Sequence, residues 1–266
     1  MAKHAARYFD EPLAAKVPEI TSLFWVIKIL TTAGGEATSD YLSLHNKVVG
    51  GAIEIVIFAV ALLLQFRIRR YAAPLYWFLA FSIAIAGTGV SDTMHLTIGL
   101  PYTVTTVFWA IVLALIFWYW QRSEGTLSIH SVVTQRRELD YWATVFATFA
   151  LGTALGDLTA VSFHLGYLAS GVLFAVLITL PGFAWRYFRL NAIGAFWMSY
   201  VLTRPLGASF ADYFSRPHAL SGANYGAGPT AGVVTIIVAL LVAYTAYARN
   251  DIQPPMDWPP LPRASR

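Results

Sequence analysis

The sequence predicts an all-α membrane protein: eight transmembrane helices from four parallel two-helix repeats, pseudo-symmetric about the membrane normal. Three observations predict it. The 266-residue chain is 57% hydrophobic and only 12% charged, about half the roughly 25% charge of an ordinary globular domain. Eight apolar runs of spanning length recur along it. Four segments share one residue frame without a gap.

So little charge cannot cover a soluble domain of this size. The composition therefore excludes a disordered chain, a nucleic-acid-binding domain and an ordinary cytosolic enzyme, and it makes the lipid bilayer the first partner. Mean hydropathy is +0.58 and the isoelectric point is about 9.3. The net charge of +4 reads as orientation signal in loops rather than as affinity for nucleic acid. The chain has no cysteine, so it has neither a disulfide framework nor a thiolate metal site. That also weighs against soft Cu(I), which favours sulfur ligands. The first twenty residues are too charged for a cleaved signal peptide and lack its apolar stretch.

The spans fall at about 20–41, 48–66, 73–93, 102–121, 141–160, 165–185, 192–212 and 229–248. The first, third, fifth and seventh are interrupted by Gly, Ser, Thr and acids. The second (AIEIVIFAVALLLQF), fourth (FWAIVLALIFWYW), sixth (GVLFAVLITL) and eighth (AGVVTIIVALLVAY) are plain apolar helices. Basic residues test the count. With a cytoplasmic N-terminus, fourteen Lys and Arg lie inside: Lys3, Arg7 and Lys16; Arg67, Arg69 and Arg70; Arg122, Arg136 and Arg137; Arg186 and Arg189; Arg249, Arg263 and Arg266. Only Lys47 and Arg216 lie outside, while Lys28 and Arg204 fall within spans. Such a bias arises only if the number and phase of the spans are right. Both termini are expected in the cytoplasm of a bacterial inner membrane. The expected organisation is a cytoplasmic segment 1–19, one eight-helix domain over 20–249 and a Pro-rich cytoplasmic tail 250–266 that cannot continue the helix. The 122–140 loop is expected to hold a short interfacial helix.

The repeat is the most informative feature. FWVIKILTTAGGEATSD, YWFLAFSIAIAGTGVSD, YWATVFATFALGTALGD and FWMSYVLTRPLGASFAD align as they stand. The tryptophans are Trp25, Trp77, Trp142 and Trp197. Ten residues on stand Gly35, Gly87, Gly152 and Gly207, and fifteen on stand Asp40, Asp92, Asp157 and Asp212. Each unit is a polar helix followed by a plain one, over about 24–70, 76–122, 141–189 and 196–249. Two spans per unit give every copy the same orientation, which implies an axis along the membrane normal. This Trp-x9-Gly-x4-Asp frame resembles the uncharacterised bacterial integral membrane proteins built from four tandem two-helix repeats with a characteristic tryptophan. The resemblance covers about 24–248. It implies the eight-span fold and assigns no active site.

The tryptophans read as interfacial anchors and the glycines as close-packing positions. The aspartates are costly inside a bilayer, about 2.5–3.5 kcal/mol each at helix centre. Four like charges cannot share a dry site while ionised. They read either as caps or, converging on one axis, as an ion-binding or proton-coupling site. Glu36, one turn before Asp40, joins them on one face. Thr31, Thr148 and Thr203 stand six after their tryptophans as additional hydroxyl ligands, and Lys28 and Arg204 as counter-ions. Arg204 precedes Pro205, where a kink is expected. Glu54 faces either the bundle or the lipid boundary. His45, His95, His164 and His218 follow the four aspartates at irregular offsets. Asp oxygen with His nitrogen suits a borderline divalent metal, which makes Asp40, Asp92, Asp157 and Asp212 the candidate metal ligands.

These residues point to a secondary transporter or channel for a cation, foremost a divalent metal ion, with proton exchange at the carboxylates. No Walker A motif is present, so ATP does not drive it directly. No enzyme activity and no organic cofactor are expected, the metal being cargo. A homo-oligomer is left open. One alternative is a non-catalytic scaffold or sensor whose polar helices are packing glue. A remote alternative is an intramembrane aspartyl protease, although Gly156-Asp157 lacks the Gly-x-Gly-Asp spacing.

Overall fold

The structure, a computed structural model, describes residues 15–253. The parts of the expected N-terminal segment and Pro-rich tail at 1–14 and 254–266 lie outside the described residues. Nine α-helices form eight rods among the described residues. Helix α1 (Ser22–His45) starts on the Thr21 hydroxyl, which accepts from the amide of Phe24, and α2 (Lys47–Arg67) starts on Asn46, which accepts from Val48 and Val49. Helix α3 (Ala73–Asp92) has Pro74 in its first turn, and α4 (Tyr102–Glu124) ends at Gly125, whose φ of 73° suits glycine. Helix α5 (Gln135–Asp157) is capped by Thr134. The next rod runs from Tyr167 to Phe188 as α6 (Tyr167–Leu177) and α7 (Thr179–Phe188). The break between them follows from Pro181, which has no N–H for the carbonyl of Leu177. Helix α8 (Ala192–Ser215) is capped by Asn191, and α9 (Ala227–Ala248) closes the bundle.

The first helices of the four repeats are α1, α3, α5 and α8. They pack in a closed order: α1 on α3, α3 on α5, α5 on α8, and α8 back on α1. The second helices lie outside. Each packs mainly on the first helix of the following repeat: α2 on α3, α4 on α5, α6 on α8, and α9 on α1. Burial separates the two sets. The spanning windows of α3 and α5 are 67% and 78% buried, against 22% for α2, α4 and the α6–α7 rod and 17% for α9. The outer faces are apolar all round, as lipid-facing helices are.

Six rods are long and apolar enough to cross a membrane: Lys47–Arg67, Ala73–Thr97, Tyr102–Glu124, Gln135–Ser162, Tyr167–Phe188 and Ala227–Ala248. The chain is thus an all-helical bundle of membrane-protein character. The two rods outside that set are α1 and α8. They carry Lys28, Glu36 and Asp40, and Arg204 and Asp212, so their composition is less apolar than that of the other six.

The repeat glycines sit at the closest approaches of the ring. A methyl group at Gly35 would meet Ala84, at Gly87 Phe149, at Gly152 Arg204 and Pro205, and at Gly207 Thr32 and Ala33. Each is therefore a glycine of one first helix against the residue seven past the tryptophan of the next. This is close packing of the kind small residues permit.

Two expectations are corrected here. Trp77, Trp142 and Trp197 are not anchors at a lipid boundary. They are 2–4% exposed and belong to an aromatic core with Phe24, Tyr76, Tyr141 and Tyr200. They point into the ring and not out of it; of the four repeat tryptophans only Trp25 is part-exposed. The 122–140 loop holds no interfacial helix. It contains one 3-10 turn, Ile129–Ser131, with Ile129 buried, and α5 already begins at Gln135.

We call the tryptophan end of the ring the base and the aspartate end the mouth. The base is tied shut by chain segments. The amide of Lys16 donates to the carbonyl of Val132 at 2.9 Å, and its ammonium meets the buried Glu138 at 2.6 Å. Gln65 donates to the other oxygen of Glu138 at 2.8 Å. Residues 251–253 are docked, not extended into solvent: Glu19 donates its amide to the carbonyl of Asp251 at 2.8 Å, and Gln253 bonds His130 and the carbonyl of Pro18.

Candidate functional site

The inside of the ring is layered by the repeat. Residues at three, seven, eleven and fifteen past each tryptophan lie one helical turn apart on one face. Three past are Lys28, Ala80, Val145 and Tyr200. Seven past are Thr32, Ala84, Phe149 and Arg204. Eleven past are Glu36, Thr88, Thr153 and Ala208. Fifteen past are the four aspartates.

In the lowest layer Lys28 is fully buried. Its ammonium lies 4.1 Å from the ring centre of Phe149 and 4.2 Å from that of Tyr200 and donates to the hydroxyl of Thr203 at 3.2 Å. Lys28 was expected as a counter-ion, but it faces aromatic rings in place of a carboxylate. Such desolvated cation–π contacts are worth about 2 kcal/mol or more. Thr203 and Thr148 turn their hydroxyls back to the carbonyls of Tyr200 and Val145. The hydroxyl of Thr31 is buried without a partner.

One layer up, Arg204 is buried at the centre. One terminal nitrogen, Nη2, shares its two N–H groups among Glu36, the hydroxyl of Thr88 and, at 2.7 Å, that of Thr153; the other, Nη1, donates to the carbonyl of Thr32 at 3.0 Å. Glu36, Thr88 and Thr153 are repeat equivalents on three different helices. Arg204 thus forms an ion pair with Glu36.

At the mouth, oxygen atoms of Glu36, Asp40 and Asp212 lie within 4.8 Å of one another. Asp40 and Asp212 are 3% and 2% exposed. Between them stands Arg216, 2.9 Å from a carboxylate oxygen of each. Sequence reasoning left Arg216 in an outer loop. Its spacing of four from Asp212, one helical turn, was the available signal. Gly222 makes the position possible, since a side chain there would collide with the carbonyl of Arg216. Asp212, then burial working against it, then Asp40, Tyr167 and Asp157 set the Arg216 pKa, and the sum raises it above its ordinary value. Arg216 is therefore a permanent charge.

Asp157 is 8% exposed and Asp92 is half-buried. Both lie within electrostatic range of Asp212, and each ends its α-helix at a π-helical turn, Thr93–Thr97 and Leu158–Ser162. Glu54 on α2 faces the bundle: it is 6% exposed and accepts from Ser39 at 2.6 Å. The histidines do not join the acids. His45, His95 and His218 turn Nδ1 to the carbonyls of Tyr41, Leu100 and Gly222, and His95 also stacks on Tyr102. His164 is exposed in a loop at a φ of 56°. Three of them close turns, and the carboxylate cluster at the mouth contains no histidine, unlike the mixed Asp–His set expected from sequence.

The interior thus places six carboxylates, Glu36, Asp40, Glu54, Asp92, Asp157 and Asp212, against three basic groups, Lys28, Arg204 and Arg216. A family model described as a repeat of unknown function, DUF347, matches residues 23–71, 75–126, 141–191 and 195–251. The chain belongs to the DUF347 family. Each matched copy holds one inner and one outer rod, and the four aspartates lie on the inner ones. No curated protein and no solved structure matches the chain.

Proposed function

We propose that this DUF347 protein is a secondary transporter or channel for a cation, foremost a divalent metal ion, exchanged for protons at the carboxylates of the ring interior. The observation that carries the reading is the gathering of one aspartate from each inner helix at the mouth of a closed ring, Asp40, Asp157 and Asp212 buried and Asp92 half-buried, with Glu36 beside them. Carboxylates so placed cannot all be ionised without a cation or protons among them. An all-oxygen set of carboxylates suits a hard or borderline divalent ion such as Mn²⁺. In this reading α1 and α8 also cross the bilayer, giving eight spans related about the membrane normal. Their charges face the ring, where the cost of insertion is reduced. Both termini lie in the cytoplasm, the membrane is a bacterial inner membrane, and the chain is not an enzyme.

A structural reading has one observation of its own. Arg216 bridges Asp40 and Asp212, as packing glue would. The two readings part in proteoliposomes loaded with a pH-sensitive dye. Under the transport reading, Mn²⁺ added outside moves protons out through the parent protein, and Asp40→Asn or Asp212→Asn slows the exchange at least about tenfold, equivalent to about 1.4 kcal/mol. No cation-dependent flux from a panel of monovalent and divalent ions, or equal flux in all four folded Asp→Asn variants, would leave the scaffold reading standing.

A further inference from the structure

The Arg204 guanidinium is held in the way a metal ion would be held. Nη2 is surrounded by the Glu36 carboxylate and the hydroxyls of Thr88 and Thr153, one oxygen from each of α1, α3 and α5, and Nη1 reaches the carbonyl of Thr32. Every partner is an oxygen, and three of the four occupy the equivalent position of their repeats. The fourth helix contributes Ala208 at that position, a side chain small enough to leave the space to the arginine. Three further features separate this from an ordinary buried ion pair. The Nε of Arg204 is buried with no partner, so every hydrogen bond of the guanidinium is made by its two terminal nitrogens, while its stem packs on Gly152. Pro205 follows it inside α8 and frees the carbonyl of Val201 from its helical bond, which lets the helix bend there. Glu36 belongs to two sites, since it pairs with Arg204 while its oxygen also lies within 4.8 Å of those of Asp40 and Asp212.

We propose that Arg204 is a tethered cation occupying an oxygen-lined cation site made by Glu36, Thr88, Thr153 and the Thr32 carbonyl, and that a free cation at the mouth competes with it for Glu36. The guanidinium then keeps the ring axis closed when no ion is present. A cation arriving among Glu36, Asp40 and Asp212 draws the shared carboxylate upward and releases the arginine tip. The physiological role rests on the transport reading above, but the site itself is open to test without any flux.

The test uses the full chain in lipid nanodiscs, with thermal unfolding and calorimetry as readouts and ammonium, K⁺, guanidinium and Mn²⁺ as probes. Arg204→Ala removes the tethered charge and leaves the oxygen cage. Its unfolding midpoint is expected to rise with millimolar ammonium or K⁺ where the parent's does not, and Glu36→Gln in the same background is expected to abolish the rise. Mn²⁺ is expected to bind Arg204→Ala at least about tenfold more tightly than the parent. Stabilisation by guanidinium alone would mark Arg204 as a shape-filling residue and overturn the proposal, as would no stabilisation by any probe. Should Arg204→Ala fail to fold, Arg204→Lys keeps a charge but is too compact to span Glu36 and Thr32 together. It is expected to bind Mn²⁺ more tightly than the parent, and equal or weaker binding overturns the proposal. If no variant binds Mn²⁺ yet ammonium stabilises Arg204→Ala through Glu36, the oxygen-lined site stands, while the competition at the mouth and the divalent-transport reading both fall.

Discussion

Arg204 and Glu36, 168 residues apart in the chain, form an ion pair with the guanidinium 0% and the carboxylate 2% exposed. Removing one partner leaves the other charged and buried. Glu36→Gln or Arg204→Leu alone is expected to cost about 3–5 kcal/mol of stability, whereas the double variant recovers part of that loss because no charge is then left unpaired. Reversible unfolding in mixed micelles, read as a double-mutant cycle, measures the coupling. Strictly additive losses would show that the two side chains do not act as a pair.

Close packing at the repeat glycines predicts a contrast between two sets of substitutions. Gly35→Ala and Gly207→Ala push a methyl group into Ala84 and into Thr32 and Ala33. Each is expected to cost about 1–3 kcal/mol by overpacking. Gly51→Ala on α2 meets nothing within 4 Å and is expected to gain up to about 1 kcal/mol from helix propensity. Thermal unfolding of the three variants checks both directions, and a destabilised Gly51→Ala would contradict the outer placement of that face.

Asp251, outside the spanning helices, supplies a pH dependence. Burial raises its pKa above the ordinary carboxylate value, against the hydrogen bond from Tyr71 at 2.6 Å, which lowers it. The folded protein therefore holds this proton more tightly than the unfolded chain does. The contribution is fully present below the unfolded value, near about 3.9, and is lost as pH rises through the raised folded value. Asp251→Asn keeps an acceptor for Tyr71 without the charge. Its stability relative to the parent is expected to improve from pH 4 to pH 7, followed by denaturant titration at each pH. A constant difference across that range would count against a raised Asp251.

The charge asymmetry predicts orientation. A reporter fused after Arg266 and another inserted at Gly125 are both expected to read cytoplasmic. An external reading at either position would mean an odd number of crossings between it and the N-terminus.

Legibility in the sequence followed identity between repeats. The Trp-x9-Gly-x4-Asp frame is nearly invariant, so the inner helices, their length and the level of the acids could all be read from it. The layer eleven past the tryptophan was missed as a layer because it reads Glu, Thr, Thr and Ala. Its unity lies in oxygen chemistry and appears only when the three helices stand side by side. Position along the helix was legible, but the direction a residue faces was not. The tryptophans share one position along their helices, but the azimuth expected of them was wrong, because it depends on neighbours about 50 or more residues away. Arg216 was hidden for the same reason: a helix that continues to Ser215 swings a nominal loop residue back over Asp212. The histidines were chemically apt but locally engaged, each of three closing its own turn.

The last helix packs on the first inner helix, and the first and last described segments meet at the base through Glu19 and Asp251. Sequence order and spatial order are therefore offset by half a unit, because each outer helix completes the copy after its own. A chain rejoined from 253 to 15 by a short linker and reopened at 68–72 would contain every original contact pair. A single two-helix unit taken alone would lack its neighbours on both sides, so the ring closes only when all four units are present.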